Sequence, residues 1–160
     1  MIFVTCGTQL PFDRLLKSVD DWAVRQNVDD IVYQSARGDF VPEKGSYFEH
    51  LSPKEYDNFF SKSELIVCHA GMGTIISALE MCKKVIILPR RFDLGEHRND
   101  HQIATCQKVS KLPNLKVVSD EADIYSEITL MLSIEEEKVG YIHSENYKNL
   151  CYFLDSFLRT

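Results

Sequence analysis

The sequence predicts an α/β domain, a parallel sheet with helices on both faces, and three observations predict it. Short apolar runs, Ile2–Cys6, Ile31–Gln34, Leu65–His69 and Val85–Leu88, show no polar alternation, the pattern of strands buried on both sides. Stretches of helical periodicity separate them, as parallel strands require for their crossovers. Glycine-bearing turns follow two of the runs, at the sheet edge where ligands of α/β folds bind.

The elements follow in order. The turn Gly7-Thr8-Gln9 leads into a helix over about Pro11–Gln26, with Phe12, Leu15, Leu16, Val19 and Ala23 on one face. Ile31–Gln34 is the second strand, and the segment Asp39 to Leu51 holds one or two short ones. Ser52-Pro53-Lys54-Glu55 opens a helix with a cap residue, a proline in the first turn and an early acid. Lys116–Val118 is the last strand, and helices are expected over Thr74–Met81, Asn99–Ser110 and Glu121–Leu132. Asp120-Glu121-Ala122-Asp123 reads as an N-cap with acids in the first turn, since no triphosphate-binding loop accompanies it.

This domain covers residues 1–132. Residues 133–160 form a C-terminal extension with a different character. Glu135-Glu136-Glu137 reads as a solvated connection, and Leu150, Phe153, Leu154, Phe157 and Leu158 form the stripe of an amphipathic helix. That helix packs on its own domain or docks on a partner chain.

Composition narrows the function. At 160 residues and 44% apolar content the chain suits one compact domain with a real core. A net charge of -6 argues against broad electrostatic binding, so no nucleic-acid partner is expected. Cys6, Cys68, Cys82, Cys106 and Cys151 are scattered with no CxxC pair, which favours buried thiols in a reducing compartment. Met1-Ile2-Phe3-Val4-Thr5 reads as a strand without the basic flank of a signal peptide. No apolar run approaches the ~20 residues of a membrane span, and a cytoplasmic location is expected.

The chemistry concentrates in two segments. His69-Ala70-Gly71-Met72-Gly73-Thr74 joins a strand to a helix, where backbone N–H groups can face an anion. It is neither a Walker loop nor a full G-x-G-x-x-G fingerprint. Gly7-Thr8-Gln9 offers a second glycine turn at the same edge. His69 is either a satisfied core histidine or a site residue. One strand later, Glu96-His97-Arg98-Asn99-Asp100-His101-Gln102 gathers groups that both donate and accept, suited to a hydroxylated ligand. His97 and His101, four apart, could share a zinc ion, but no third ligand is apparent, and no metal is expected. Arg90 and Arg91 are either surface charges or groups that offset phosphate. No Ser/His/Asp or Cys/His nucleophile arrangement and no Asp-x-Asp signature is present.

Over roughly Ile2 to Val118 these segments, in this order and spacing, resemble the C-terminal, donor-binding half of family-28 glycosyltransferases of the GT-B fold. They resemble most the small soluble subunits of split enzymes of that type, and Pro89-Arg90-Arg91 with Gly95-Glu96-His97 leans toward the bacterial exopolysaccharide branch. The resemblance implies a Rossmann-like sheet, one half of a GT-B enzyme. It implies a UDP-sugar donor whose diphosphate lies near Gly7, Thr8, Gln9 and the His69–Thr74 turn. Asp100, His101 and Gln102 would approach the sugar. Ser77 stands where the family carries an acid for the ribose, and Glu80, one turn on, is the candidate replacement. Cys82-Lys83-Lys84 replaces the family's Gly-Lys-Pro.

The resemblance further implies an inverting transfer to a lipid-linked acceptor. Backbone dipoles and positive groups, rather than a metal, would stabilise the departing UDP. The catalytic general base is then expected on a membrane-associated, acceptor-binding partner subunit, which recruits this chain to the membrane. The alternative is a non-catalytic nucleotide-sugar-binding or scaffold subunit.

Overall fold

In the computed structural model, residues 1–112 and 114–134 are described. They run β1 (Ile2–Thr5), α1 (Asp13–Gln26), β2 (Ile31–Gln34), β3 (Ser46–Phe48), α2 (Pro53–Lys62), β4 (Leu65–His69) and α3 (Met72–Glu80). Then follow β5 (Lys84–Leu88), α4 (His101–Val109), β6 (Leu115–Val117), a 3-10 turn (Glu121–Asp123) and α5 (Ile124–Ser133). The strands form one parallel sheet in the order β3-β2-β1-β4-β5-β6. Strand order therefore reverses between β1 and β4, where a Rossmann-like sheet opens its crevice. Register brings the carboxyl ends level, since Thr5 faces both Gln34 and Cys68.

Alternate residues of each strand feed two cores, which is why the strands read as uninterrupted apolar runs. Ile2, Val4, Leu65, Val67, Ile86 and Leu88 meet Leu15, Leu16, Val19 and Trp22 of α1 and Ile124 and Ile128 of α5. Phe3, Ile66, Cys68, Val85 and Ile87 meet Phe60 of α2, Ile75, Ala78 and Leu79 of α3, and Cys106 and Val109 of α4. The sheet is thus covered on both faces, as expected.

Helix starts differ from expectation at α3 and α4. The segment Asp39 to Leu51 holds one short strand, β3, within the one or two expected, and side chains of α1 hold part of the rest. Asp20 accepts from the N–H groups of Glu43 and Lys44 (both 3.0 Å), and Asp13 accepts from the Asp39 N–H (3.0 Å). Helix α2 starts after Ser52, as expected, and Ser52 and Glu55 form a full capping box there. Helix α3 begins at Met72, two residues early, so Gly73 lies within its first turn. Helix α4 begins at His101, two residues late. Asp100 adopts the cap position but spends a carboxylate oxygen on the Phe92 N–H (3.3 Å). Ahead of α5 the Asp120 carboxylate accepts from the Ala122 N–H (3.0 Å), which closes a 3-10 turn before the helix proper.

Cys82 sits at φ 51, the left-handed region that glycine tolerates best, at the position where the family pattern carries glycine. Among the described residues no helix is long and apolar enough to cross a membrane. The acidic run, Cys151 and the C-terminal amphipathic helix lie outside the described residues.

Candidate functional site

A cleft of about 500 Å³ opens at the reversal between β1 and β4. Cys6, Gly7, Thr8, Gln9 and Leu10 line it from β1 and the turn after it, and Gln34 from the end of β2. Tyr56 of α2, His69 of β4, Gly71, Gly73 and Thr74 follow, and Arg90, His97 and Gln102 close the far side. The lining forms two walls.

The first wall is built from glycine turns around one imidazole. A Cβ added to Gly7 would come 2.7 Å from His69 Cε1, and one added to Gly71 would come 2.3 Å from His69 Nε2. Both turns therefore press on the same ring, and Gly7 also needs its φ of 76. The Gly7 N–H donates to Thr5 Oγ1 (3.1 Å), and the Gly71 N–H to the His69 carbonyl (2.8 Å). Gly73 differs, because a Cβ there would meet nothing within 4 Å. The space in front of it is the cleft itself, over the first turn of α3. Burial, and then the nearby Arg90 charge, push the His69 imidazole down to about 4, so the ring is neutral near pH 7.

The second wall follows β5. Arg90 is only 2% exposed, and its guanidinium donates to the carbonyls of Cys6 (2.9 Å), Leu10 (2.6 Å), Glu96 (3.4 Å) and Pro11. It also stacks on Phe12, 4.6 Å from the ring centroid. Among the described residues no carboxylate lies within ion-pair distance of it. Burial pulls its pKa down, yet a guanidinium stays charged, so a positive charge without an ion partner borders the cleft.

Gln102, also buried, accepts the Ala70 N–H (3.2 Å) and the Arg90 N–H (3.0 Å) on one oxygen. Two N–H donors fix the amide orientation, so only its NH2 remains to donate to a ligand. His97 Nδ1 lies 3.1 Å from both the backbone and side-chain oxygens of Asn99.

Of the residues singled out from sequence, Gly7, Thr8, Gln9, His69, Gly71, Gly73, Thr74, Arg90, His97 and Gln102 line the cleft. Ala70 is buried behind it and contributes its N–H to Gln102. Met72, Ser77, Glu80, Glu96, Asp100 and His101 do not line it. Glu80 and His101 are exposed, and Glu96 turns toward Arg14 (2.7 Å). Arg91 is held in an exposed pair with Asp93 (2.6 Å). Among the described residues no group of three or more His, Cys, Asp or Glu could hold a metal ion.

Sequence reading missed Cys6, Leu10, Gln34 and Tyr56. Gln34 had a signal, a polar residue ending an apolar strand beside the reversal point; it accepts the Thr5 hydroxyl (2.6 Å). Tyr56 had a fainter one, its place in the second turn of a well-capped helix. Its ring packs on Phe3 (5.3 Å) and Phe60 (5.4 Å). Cys6 is not a nucleophile in waiting, since burial pushes its thiol up to about 12.

A parallel sheet covered on both faces, with a glycine-walled cleft at its order reversal, defines a Rossmann-like ligand-binding domain. The glycosyltransferase family 28 C-terminal domain model matches residues 1–139, and the chain belongs to that family. Solved structures agree on the fold. The glycotransferase of kitacinnamycin superposes with a TM-score of 0.65 at 14% identity, over 95% of this chain and 39% of its own. MurG of Acinetobacter baumannii gives 0.65 at 13%, over 96% and 49%. The ALG13 solution structure gives 0.57 at 18%, over 80% and 83%. The chain thus spans half or less of the first and second of these relatives and most of the third. No curated protein matches it.

Proposed function

We propose that this domain binds a UDP-sugar and acts as the donor-binding, catalytic subunit of a two-component inverting glycosyltransferase. The diphosphate lies against Gly7, Gly71 and Gly73, and the hydroxylated end of the donor faces His97 and Gln102. A lipid-linked sugar in polysaccharide or glycan-precursor synthesis is the acceptor. A membrane-associated partner subunit holds that acceptor and supplies the general base.

The observation that carries the reading is the glycine-walled cleft beside a buried cation that has no ion partner among the described residues. Backbone N–H groups at a helix start favour an anion. Arg90 adds attraction through its field while its own N–H groups stay on carbonyls, so it is pre-organised for charge that develops on departing UDP. The high coverage of ALG13, against under half of MurG, supports an acceptor half supplied from elsewhere.

Calorimetric titration with UDP, UDP-GlcNAc, UDP-glucose and UDP-galactose tests the donor site. Gly73→Asp sets a carboxylate beside the proposed phosphate position, and its Cβ meets no protein atom within 4 Å. It should keep the thermal midpoint and weaken UDP at least about a hundredfold. Unchanged UDP affinity in that variant would sink the phosphate assignment. Full-rate transfer to a lipid-linked acceptor by the purified chain alone would sink the two-component arrangement.

A further inference from the structure

The β5–α4 loop carries His97 and leads to Gln102, yet the residue that anchors it does not face the cleft. Glu96 turns the other way, to Arg14 in the first turn of α1. Arg14 Nε donates to Glu96 Oε1 (2.7 Å) and Nη2 to Glu96 Oε2 (2.8 Å), a two-pronged pair across 82 residues of sequence. The same guanidinium reaches the Pro89 carbonyl (3.0 Å) at the start of the loop and Glu121 (2.8 Å) of the 3-10 turn. Glu96 Oε2 also accepts the Arg91 N–H (2.9 Å), which closes the loop on itself. The side chains of Arg14 and Glu96 are 12% and 13% exposed, so water screens the pair little. Arg14 lies over Phe12, 5.3 Å from the centroid of the ring on which Arg90 stacks.

These bonds set one thing that the glycine wall does not: where the loop side chains stand. The glycine wall lets a ligand approach the first turn of α3, where the N–H groups of Gly73 and Thr74 suit phosphate. The loop wall presents an imidazole and an amide, suited to hydroxyls whose configuration must be read. Reading one hydroxyl needs placement within about half an ångström, which a loop attains only through support behind it.

We infer that Arg14 and Glu96 form a positioning pair that sets His97 and Gln102 against the sugar of the donor, and so controls which sugar is accepted rather than whether the nucleotide binds. The inference rests on the donor reading above. Lysine cannot reproduce the two-pronged contact at Arg14, and glutamine at Glu96 removes the charge while keeping shape.

The test is calorimetry on the full chain with UDP and the three UDP-hexoses, comparing wild type, Glu96→Gln, Arg14→Lys and Arg14→Met. The wild type should show a spread of affinities among the UDP-hexoses. Both conservative variants should narrow that spread about tenfold, with UDP affinity within about threefold and the chain still folded at the titration temperature. Should Arg14→Met fail to fold, the two conservative variants carry the test. An unchanged spread overturns the inference, and so does parallel weakening of UDP and every UDP-hexose, the signature of a merely structural pair. Absence of UDP binding in the wild type is a different result, which overturns the donor reading itself.

Discussion

The two walls of the cleft are built on different principles. The glycine wall is local and steric: two turns close on the His69 ring, each within a few residues of the strand that leads into it. The loop wall is distant and polar, with Arg90 and Arg14 reaching across more than seventy residues to hold it. The contrast teaches that one side of a ligand site can be set by what residues lack, and the other by what they reach. It also says how each wall should fail.

The largest effect is expected on the glycine wall. Gly71→Ala puts a methyl group into the His69 ring and should destabilise the fold by about 3 kcal/mol in urea unfolding, with UDP affinity lost. His69→Ala should restore much of that stability in the double variant, a coupling of about 1–3 kcal/mol. Additive effects would show that the ring is not what the turn presses on.

Next comes the loop wall. Arg90→Met strands four carbonyls and should cost about 2–3 kcal/mol. It should also flatten the salt dependence of UDP binding, because the field of a buried cation is gone. A salt dependence equal to that of wild type would show that Arg90 is only a brace.

His69 contributes a pH dependence that separates the walls further. Its folded value, about 4, lies below the ordinary 6.5, so the unfolded chain binds the proton first as pH falls. The stability is fully present above pH 6.5 and is lost downward through about pH 4, on the order of 3 kcal/mol. Urea midpoints measured across that range should fall more steeply for wild type than for His69→Gln. Equal slopes would place the imidazole in a more open setting.

The smallest effect sharpens the comparison. Gly73→Ala meets no protein atom and replaces a glycine within α3, so it should stabilise the apo domain by about 0.5–1 kcal/mol while weakening UDP. A loss of stability would mean that the glycine serves the fold rather than the ligand.

Much of this was legible beforehand. The strands Ile2–Thr5, Ile31–Gln34 and Leu65–His69 carry their burial in their composition, and the Ser52–Glu55 capping box marks a helix start within its own four residues. The glycine turns at the ends of β1 and β4 were legible too, because a turn and its steric demand are short-range. Glu96 stands outside the cleft although the next residue, His97, lines it, because its carboxylate is held by Arg14. Tyr56 and Gln34 were missed because nothing local marks which polar group of a helix or strand end overhangs a crevice. The start of α4 moved because Asp100 found the Phe92 N–H instead of capping its helix.

By itself, then, the sequence determined the α/β class, the two-sided burial of the sheet and the glycine edge of the cleft, since each follows from periodicity or sterics over a few residues. Only the tertiary structure decided that His69 is the ring on which both turns close, that Arg90 has no ion partner among the described residues, and that Arg14 braces the far wall. Those outcomes depend on directional bonds between segments far apart in the chain, and no local pattern encodes the direction of a guanidinium.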